Sequence, residues 1–421
     1  MNLSVFSLHC HVPRMALLFS CLFIALGLNA QSFDVGDLTY TVLQNDASAV
    51  QVTRGNKHFY DLTIPSTVSY KDHSYTVKHI GNNAFYGNGY KIYHDVVLPP
   101  TIETIGAQAF TNNGDMTSVT FASGQAPRLR VIGEGAFYNC RKMTTLFEMP
   151  STLEEIGNNA FRECWALRGT FLLPENLKTI GSECFSSCRS ISGFRFAVTS
   201  MADLLNGNRC LVNMRDDASW VCPVSIAPNV ERIPSYLFGS LGRYSVTFEP
   251  GSRCKEIAAY GLEYVGGRLE LPEGLVSIGS YAAYGTISGT PPLHLVLPST
   301  VQTIGNYAFR YCTSLSSLTC ARATPPAVYE NAFSNAADPS SCTLYVPLHC
   351  ASAYRGSNVW QQFFIEEADL TGISQPTVDD IDGSGSVKQR FGLGGQHLSS
   401  PTKGINIVRM SNGRVRKVVV K

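Results

Sequence analysis

Ten times between residues 80 and 333 the chain repeats one phrase: an aliphatic residue, usually with Gly after it, and an apolar residue, usually Phe, five positions on. The pairs are Ile80/Phe85, Ile105/Phe110, Ile132/Phe137, Ile156/Phe161, Ile180/Phe185, Ile233/Phe238, Ile257/Leu262, Ile278/Ala283, Ile304/Phe309 and Val328/Phe333. Successive first members differ by 25, 27, 24, 24, 53, 24, 21, 26 and 24. A segment of this length cannot bury its own apolar side and must stack on copies of itself, so the period predicts a solenoid. The gap of 53 is close to two periods and marks one degenerate or enlarged rung, where residues 197–230 fit the phrase poorly. A chain of 421 residues would otherwise read as two or three domains, but a solenoid has no such limit.

Within a rung the order of chemistry is legible. Apolar residues alternate up to Leu173, which suits a short strand, and Pro174 ends it because Pro cannot donate a ladder hydrogen bond. The same junction recurs at Leu98-Pro99, Met149-Pro150, Leu271-Pro272 and Leu297-Pro298. After each Ile-Gly pair the chain turns, and Ala with Phe drops into the core. The expected result is one parallel sheet on one side, mostly β and loop, with a row formed by Phe85, Phe110, Phe137, Phe161, Phe185 and Phe309 inside.

Thirteen cysteines in an exported chain would suggest a disulfide framework. Cys140, Cys164, Cys188 and Cys312, however, each sit three residues after the anchor Phe, and the first three are spaced by 24. They hold a rung position, and parallel side chains pointing the same way do not meet well even at a rung spacing of about 4.8 Å, so free buried thiols are expected. Loss of Cys10 and Cys21 with a leader leaves eleven, an odd number. The disulfide candidates lie off the ladder: Cys210 with Cys222, and Cys342 with either Cys320 or Cys350.

The N-terminus reads as an export signal: His9, His11 and Arg14 precede an apolar run over residues 15–28, and Leu28-Asn29-Ala30 forms a small-residue exit before Gln31. Cleavage is expected after Ala30, with Met15 an alternative start. The run is too short for a spanning helix, and Leu18-Phe19-Ser20 lacks the small residue a lipidation site wants before Cys21. Charge is balanced, 33 basic against 32 acidic side chains, so no broad attraction for nucleic acid or anionic lipid is expected, and no transmembrane span follows. Only the C-terminal end is basic, with Arg409, Arg414, Arg416, Lys417 and Lys421.

Two further motifs dissolve on inspection. Asp380-x-Asp382-x-Ser384-Gly385 begins like a calcium loop, but its twelfth position is Phe391, which offers no carboxylate, so no metal is expected. There is no Gly-x-Ser-x-Gly elbow, His-Glu-x-x-His helix, P-loop or full dinucleotide fingerprint, so neither enzyme activity nor a cofactor is expected.

Ile-Gly-Asn-Asn-Ala-Phe at 80–85 and again at 156–161, Leu-Pro-x-x-Leu-x-x-Ile-Gly, and the ladder Cys together resemble the BspA-like leucine-rich-repeat surface proteins of Gram-negative anaerobes. The likeness covers residues 60–365 or so. It implies a leucine-rich-repeat array of the α/β repeat-solenoid type, with short parallel strands and terminal caps. It also implies a secreted or outer-surface location and a protein ligand on host matrix or a partner cell. In such repeats the ladder slot carries Asn or Cys to serve the turn backbone of the next rung, and Asn88 and Asn113 stand there in the earlier rungs. The expected layout is a signal over 1–30, an opening cap over 31–79, the array over 80–340, a closing unit over 341–368, a linker over 369–390, and a sorting or anchoring tail over 391–421. The departures are Ala283 in place of Phe, and Pro234 and Ala258 in place of Gly.

A solenoid without catalytic signatures offers surface, and outward strand positions form its natural rows. Counting back from the strand-end prolines gives Asp95, Val97, Leu146, Glu148, Thr170, Leu172, Arg268, Glu270, His294 and Val296 as the candidate binding face. None is aromatic, which favours a protein ligand over capture of carbohydrate at the outer membrane. A third reading makes the array a spacer that presents its ends.

Overall fold

The structure is a computed structural model that describes residues 31–89, 91–204, 221–238, 244–265, 269–285 and 293–370, and the backbone alone at 387–392, 404–410 and 415–420. The chain divides into two units, Met1–Ala368 and Asp369–Lys421.

The first unit is a mostly-β parallel solenoid of about twelve turns with almost no helix. Among the described residues the only α-helix is Ala351–Arg355, so the helical component of an α/β repeat is missing. The reason is local: the segment after each Ile-Gly is spent on a tight turn with two left-handed residues, at Gln108 and Asn112 or Asn159 and Glu163, for example. A helix tolerates no such alternation.

Most turns of the solenoid contribute strands to two parallel ladders rather than one. The longer strands include Asp95–Leu98, Ser118–Phe121, Gly169–Leu173, Ile191–Phe196, Cys222–Ile226, Tyr244–Phe248, Leu293–Leu297 and Leu315–Cys320, of which Asp95–Leu98, Gly169–Leu173 and Leu293–Leu297 run directly into Pro, and they pair within three separate sheets. The second ladder is made of two-residue strands that end on the anchor: Thr104–Ile105, Val131–Ile132, Glu155–Ile156 and Thr179–Ile180, in strict register Ile105↔Ile132↔Ile156↔Ile180. It begins before the first recognised anchor, because Asp46–Gly55 lies parallel to His73–Ile80 with Val52 opposite Ile80. Ahead of it, Ser32–Val35 and Leu38–Leu43 add antiparallel strands.

The gap between Ile180 and Ile233 is now explicable. The turn in between keeps its long strand, Ile191–Phe196, paired on both sides, but forms no two-residue anchor strand among the described residues. The anchor ladder therefore stops at Thr179–Ile180 and restarts at Arg232–Ile233, while the long-strand ladder runs through.

On the third side the turns bond to each other through the backbone. The N–H groups of Gln108, Phe110 and Asn112 donate to the carbonyls of Glu134, Ala136 and Tyr138 at 2.7, 2.7 and 2.8 Å. Those of Ala109 and Thr111 fold back to Gly106 and Gln108 at 3.3 and 3.2 Å. Every backbone donor of that segment is accounted for, as a buried turn requires. Inside, Phe85, Phe110, Phe137, Phe161 and Phe185 stack with centroids 5.2 to 5.4 Å apart. Phe309 continues the row onto Phe333 at 5.2 Å. The Gly after the anchor is imposed by approach: a Cβ on Gly133 would lie 2.6 Å from the Ala107 nitrogen of the preceding turn.

The ladder cysteines are buried, Cys140, Cys164 and Cys188 as free thiols, and all four serve the turn before them rather than the one after. The Sγ groups of Cys140, Cys164, Cys188 and Cys312 donate to the carbonyls of Phe110, Phe137, Phe161 and Ala283 at 3.2, 3.1, 3.1 and 3.2 Å. Asn113 does the same more fully: its Nδ2 donates to the Phe85 carbonyl at 2.7 Å while its Oδ1 accepts from the Ile92 N–H at 2.9 Å. Asn88 does not share this role, being exposed and accepting from Asn112 Nδ2 at 3.1 Å.

The disulfides expected near the end of the array are absent: Cys320, Cys342 and Cys350 are all free. Register explains it. Thr319 lies opposite Tyr345, so Cys320 is level with Val346, four residues and about 13 Å along the strand from Cys342, beyond disulfide reach. The Cys320 sulfur instead accepts from the Tyr354 hydroxyl at 3.1 Å. Cys222 is buried, and Cys210, its expected partner, lies outside the described residues.

The second unit contains an antiparallel sheet, Val387–Gly392 with Gly404–Met410 and Gly404–Met410 with Val415–Val420. The first of these strands starts inside the stretch expected to be linker. The leader, the motif at 380–385 and Phe391's neighbours beyond the strands lie outside the described residues.

Candidate interaction surfaces

The long-strand face carries most of the candidate residues. Asp95 and Val97 lie outward on Asp95–Leu98, in rows with Ser118 and Thr120. Asp95 is already engaged: its Oδ1 accepts from Ser118 Oγ at 2.6 Å and Thr117 Oγ1 at 2.7 Å, and these bonds hold its carboxyl below the usual range. Glu148, Thr170 and Leu172 are exposed. Leu172 shares a row with Arg195, whose guanidinium makes a two-pronged bond to Glu249 at 2.7 and 2.8 Å.

Leu146 does not belong to this face. It pairs with Val119, an inward residue, and packs on the core. The strand Thr145–Leu146 breaks after two residues, and Phe147 then turns inward as well, so counting back from Pro150 comes out one residue wrong. Arg268 lies outside the described residues. Glu270, His294 and Val296 come together: Glu270 bridges Val296, which is in line with Thr319, Tyr345 and Glu366. His294 Nδ1 bonds Ser317 Oγ, and that row continues through Thr343 to Phe364, which is 58% exposed. The candidate residues thus fall in three groups on three sheets, and the last group includes aromatics that sit after the strand-end prolines used to find the others.

The second face was not foreseen. Two residues before the first five anchors stand Lys78, Glu103, Arg130, Glu154 and Lys178, of alternating sign. Lys78 lies 3.6 Å from Glu103, and Glu154 lies 2.7 Å from both Arg130 and Lys178. Bonds from Lys178 and Arg130 lower the Glu154 pKa. Such a row neutralises itself and leaves little charge for a partner.

The turn face changes character along its length. In the N-terminal half it is polar and tied to itself: Asn139 Nδ2 donates to Asn112 Oδ1 at 2.8 Å, Tyr138 OH donates to Glu163 at 3.2 Å, and Arg162 pairs with Glu183. Gly135 interrupts the row and leaves a notch of about 280 Å³ beside Gln108 and Asn159. Trp165 lies under the guanidinium groups of Arg141 and Arg189, at 4.3 and 5.2 Å.

In the C-terminal half the position three residues after the anchor is Tyr four times running: Tyr236, Tyr260, Tyr281 and Tyr307. All four have φ between 57 and 59°, so their side chains leave the backbone in the same direction. They stack at 4.7, 4.6 and 5.0 Å. Tyr264, Tyr284 and Tyr311 form a second row in edge contact at 5.7 and 5.5 Å. Burial among these rings pushes the Tyr260 hydroxyl up to about 12. The signal was present in the sequence as a constant offset from the anchor, but on turns rather than strands.

Among the described residues no group of three or more His, Cys, Asp or Glu side chains is placed to hold a metal. Nor is any helix there long and apolar enough to cross a membrane.

A parallel solenoid with an internal Phe stack, an Asn/Cys slot that caps the preceding turn, and Gly packed against the neighbouring backbone defines a leucine-rich-repeat protein. The family profile for the BspA-type leucine-rich-repeat region matches in six copies over residues 78–204 and 277–355. The chain belongs to the BspA-type leucine-rich-repeat family, whose members are bacterial surface proteins.

Solved structures of similar fold include a leucine-rich cell surface protein from Faecalibacterium prausnitzii, 18% identical, with 80% of this chain and 95% of that one covered and a TM-score of 0.41. A leucine-rich-repeat protein from Bacteroides ovatus is 19% identical over 80% and 90% of the two chains, with a TM-score of 0.46. The T. pallidum leucine-rich-repeat protein is 19% identical over 54% and 84%, with a TM-score of 0.34. No curated protein sequence matches the chain.

Proposed function

We propose that the chain is an exported surface protein that binds another macromolecule, a protein of host matrix or a partner cell, through the outward face of its long strands. The observation that carries this reading is the register of the last strands, which lines up Glu270, Val296, Tyr345 and Glu366, with buried Thr319 between them, in one row beside His294, Ser317, Thr343 and Phe364. A rigid backbone holds these side chains at fixed spacing, so a partner does not have to order them on binding. In this reading residues 1–30 direct export, 31–79 and 341–368 close the ends of the array, and 391–421 sort or anchor the chain at the cell surface.

The test is binding of the mature chain to immobilised extracellular-matrix proteins, with Arg268→Glu and Glu270→Lys as variants. Weakened binding with an unchanged thermal transition supports the face; unchanged binding with an intact fold removes it. Protease shaving of intact cells checks location, since peptides released only after lysis contradict surface display. The second reading, carbohydrate capture, is favoured by the exposed ring of Phe364 in an outward row. Glycan-array binding that Phe364→Ala abolishes, with no binding to matrix proteins, would put it first.

A further inference from the structure

The tyrosine-lined turn face of the C-terminal half holds a cation, Arg310, against rings rather than against a carboxylate. The Arg310 guanidinium lies over the rings of Tyr307 and Tyr311 at 4.9 and 4.7 Å, and its Nη2 donates to the Tyr311 hydroxyl at 3.1 Å. Its Nε is shut off from solvent and has no hydrogen-bond partner among the described residues. No acidic side chain there pairs with it. In the N-terminal half, by contrast, Arg162 pairs with Glu183 and Arg141 with Glu163 at 3.3 Å. The sequence stretches 239–243, 266–268 and 286–292, outside the described residues, contain no Asp or Glu. Glu263 acts on Tyr236, Tyr244 and Tyr260, at the other end of the patch.

The rings themselves decide between classes of ligand. A sugar stacks on an open aromatic face, but the faces of Tyr260 and Tyr281 are taken by their neighbours at 4.7, 4.6 and 5.0 Å, and Arg310 covers Tyr307. What is left to a partner is ring edges, hydroxyl groups and one cation. Tyr and Arg on a preordered backbone are what protein interfaces concentrate at their centres, because they give large amphipathic contact at low entropic cost.

We propose that this turn face, centred on Tyr281, Tyr307, Arg310 and Tyr311, is a docking surface for an acidic protein segment, whose carboxylate pairs with Arg310. The surface is separate from the long-strand face and stands or falls independently of it. A carboxylate arriving there completes the charge that the ladder leaves open, and the hydroxyl rows flanking it accept and donate hydrogen bonds to the segment's backbone.

The experiment uses the mature full-length chain and two synthetic polypeptides, poly(Glu,Tyr) and poly(Lys,Tyr), with polygalacturonate as the acidic glycan. Poly(Glu,Tyr) is expected to bind, more weakly as salt is raised, and poly(Lys,Tyr) is not. Arg310→Gln is expected to weaken binding about tenfold or more. Tyr311→Phe, which keeps the ring and removes the hydroxyl that Arg310 bonds, is expected to weaken it about threefold and serves as the check should Arg310→Gln disturb the fold. Binding of poly(Lys,Tyr) as tight as that of poly(Glu,Tyr), tighter binding of polygalacturonate, no binding of poly(Glu,Tyr), or equal affinity in the folded variants each overturns the proposal.

Discussion

Removing one ring from the middle of the phenylalanine row tests whether that row holds the turns together. Phe161 is fully buried, with Phe137 at 5.4 Å and 5° on one side and Phe185 at 5.2 Å and 15° on the other. Truncation of a buried Phe to Ala costs about 3–5 kcal/mol, depending on how far the site collapses. Collapse is restricted here, because Phe161 N–H donates to the Cys184 carbonyl at 2.8 Å and Phe137 N–H to the Ala160 carbonyl at 2.8 Å, which fix the spacing of the turns on both sides. Phe161→Ala is therefore expected near the upper end of that range. Phe161→Leu restores most of the volume and loses the two ring contacts, each worth about 0.5–1.5 kcal/mol beyond burial, so its cost should be about 1–3 kcal/mol. Urea unfolding of the mature chain, followed by circular dichroism at matched m-values, measures both. A loss below about 1 kcal/mol for Phe161→Ala, or a Phe161→Leu variant as stable as the wild type, would refute the reasoning that stacked rings rather than volume alone stabilise this core.

Three further outcomes follow from single contacts. Gly133→Ala places a Cβ 2.6 Å from the Ala107 nitrogen and should cost about 1–3 kcal/mol in the same assay, while Gly114→Ala, whose nearest neighbour would be 3.8 Å away, should be nearly neutral; equal melting temperatures contradict the close-approach argument. Burial pushes the Cys140 thiol up to about 12 and raises the Cys164 and Cys188 thiols as well, so at pH 8 a maleimide should leave all three unlabelled in the folded chain and react earlier at half-buried Cys350; early labelling of Cys164 would contradict this. The bond from Arg232 holds the Asp203 carboxyl at about 2, below its ordinary 3.8, and a depressed folded value means the stabilisation is present above pH 3.8 and disappears as pH falls through about 2. Asp203→Asn should therefore lower the melting temperature at pH 7 and match the wild type near pH 2; a difference that persists at pH 2 would rule out this linkage.

The turn-to-turn repeat was legible because its causes are local in sequence: Ile fills the core, Gly admits the preceding backbone, Phe stacks, and Pro ends the strand. Leu146 was misread because a strand of two residues loses its alternation at the break, and nothing in Thr145-Leu146-Phe147 marks that break. The sense of the Cys slot was hidden for a different reason. Whether Cys164 serves Phe137 or a later turn depends on which way the array stacks, and that is a property of neighbours rather than of the rung. The alternating row Lys78, Glu103, Arg130, Glu154 and Lys178 and the row Tyr236, Tyr260, Tyr281 and Tyr307 were both present at fixed offsets, but a search limited to strand positions passes over them.

The two halves of the turn face show why such a scaffold can carry function without changing fold. The backbone hydrogen bonds of the turn involve no side chain three residues after the anchor, so Gln108, Asn159 and Glu183 can stand where Tyr260, Tyr281 and Tyr307 stand later, with the same left-handed φ near 55–57°. Stability constrains the inward Ile and Phe and leaves this position to other demands. Where acids and amides occupy it, their polar groups are spent on one another. Where tyrosines occupy it, ring stacking satisfies the faces but leaves hydroxyls, edges and the Arg310 charge for something outside the chain.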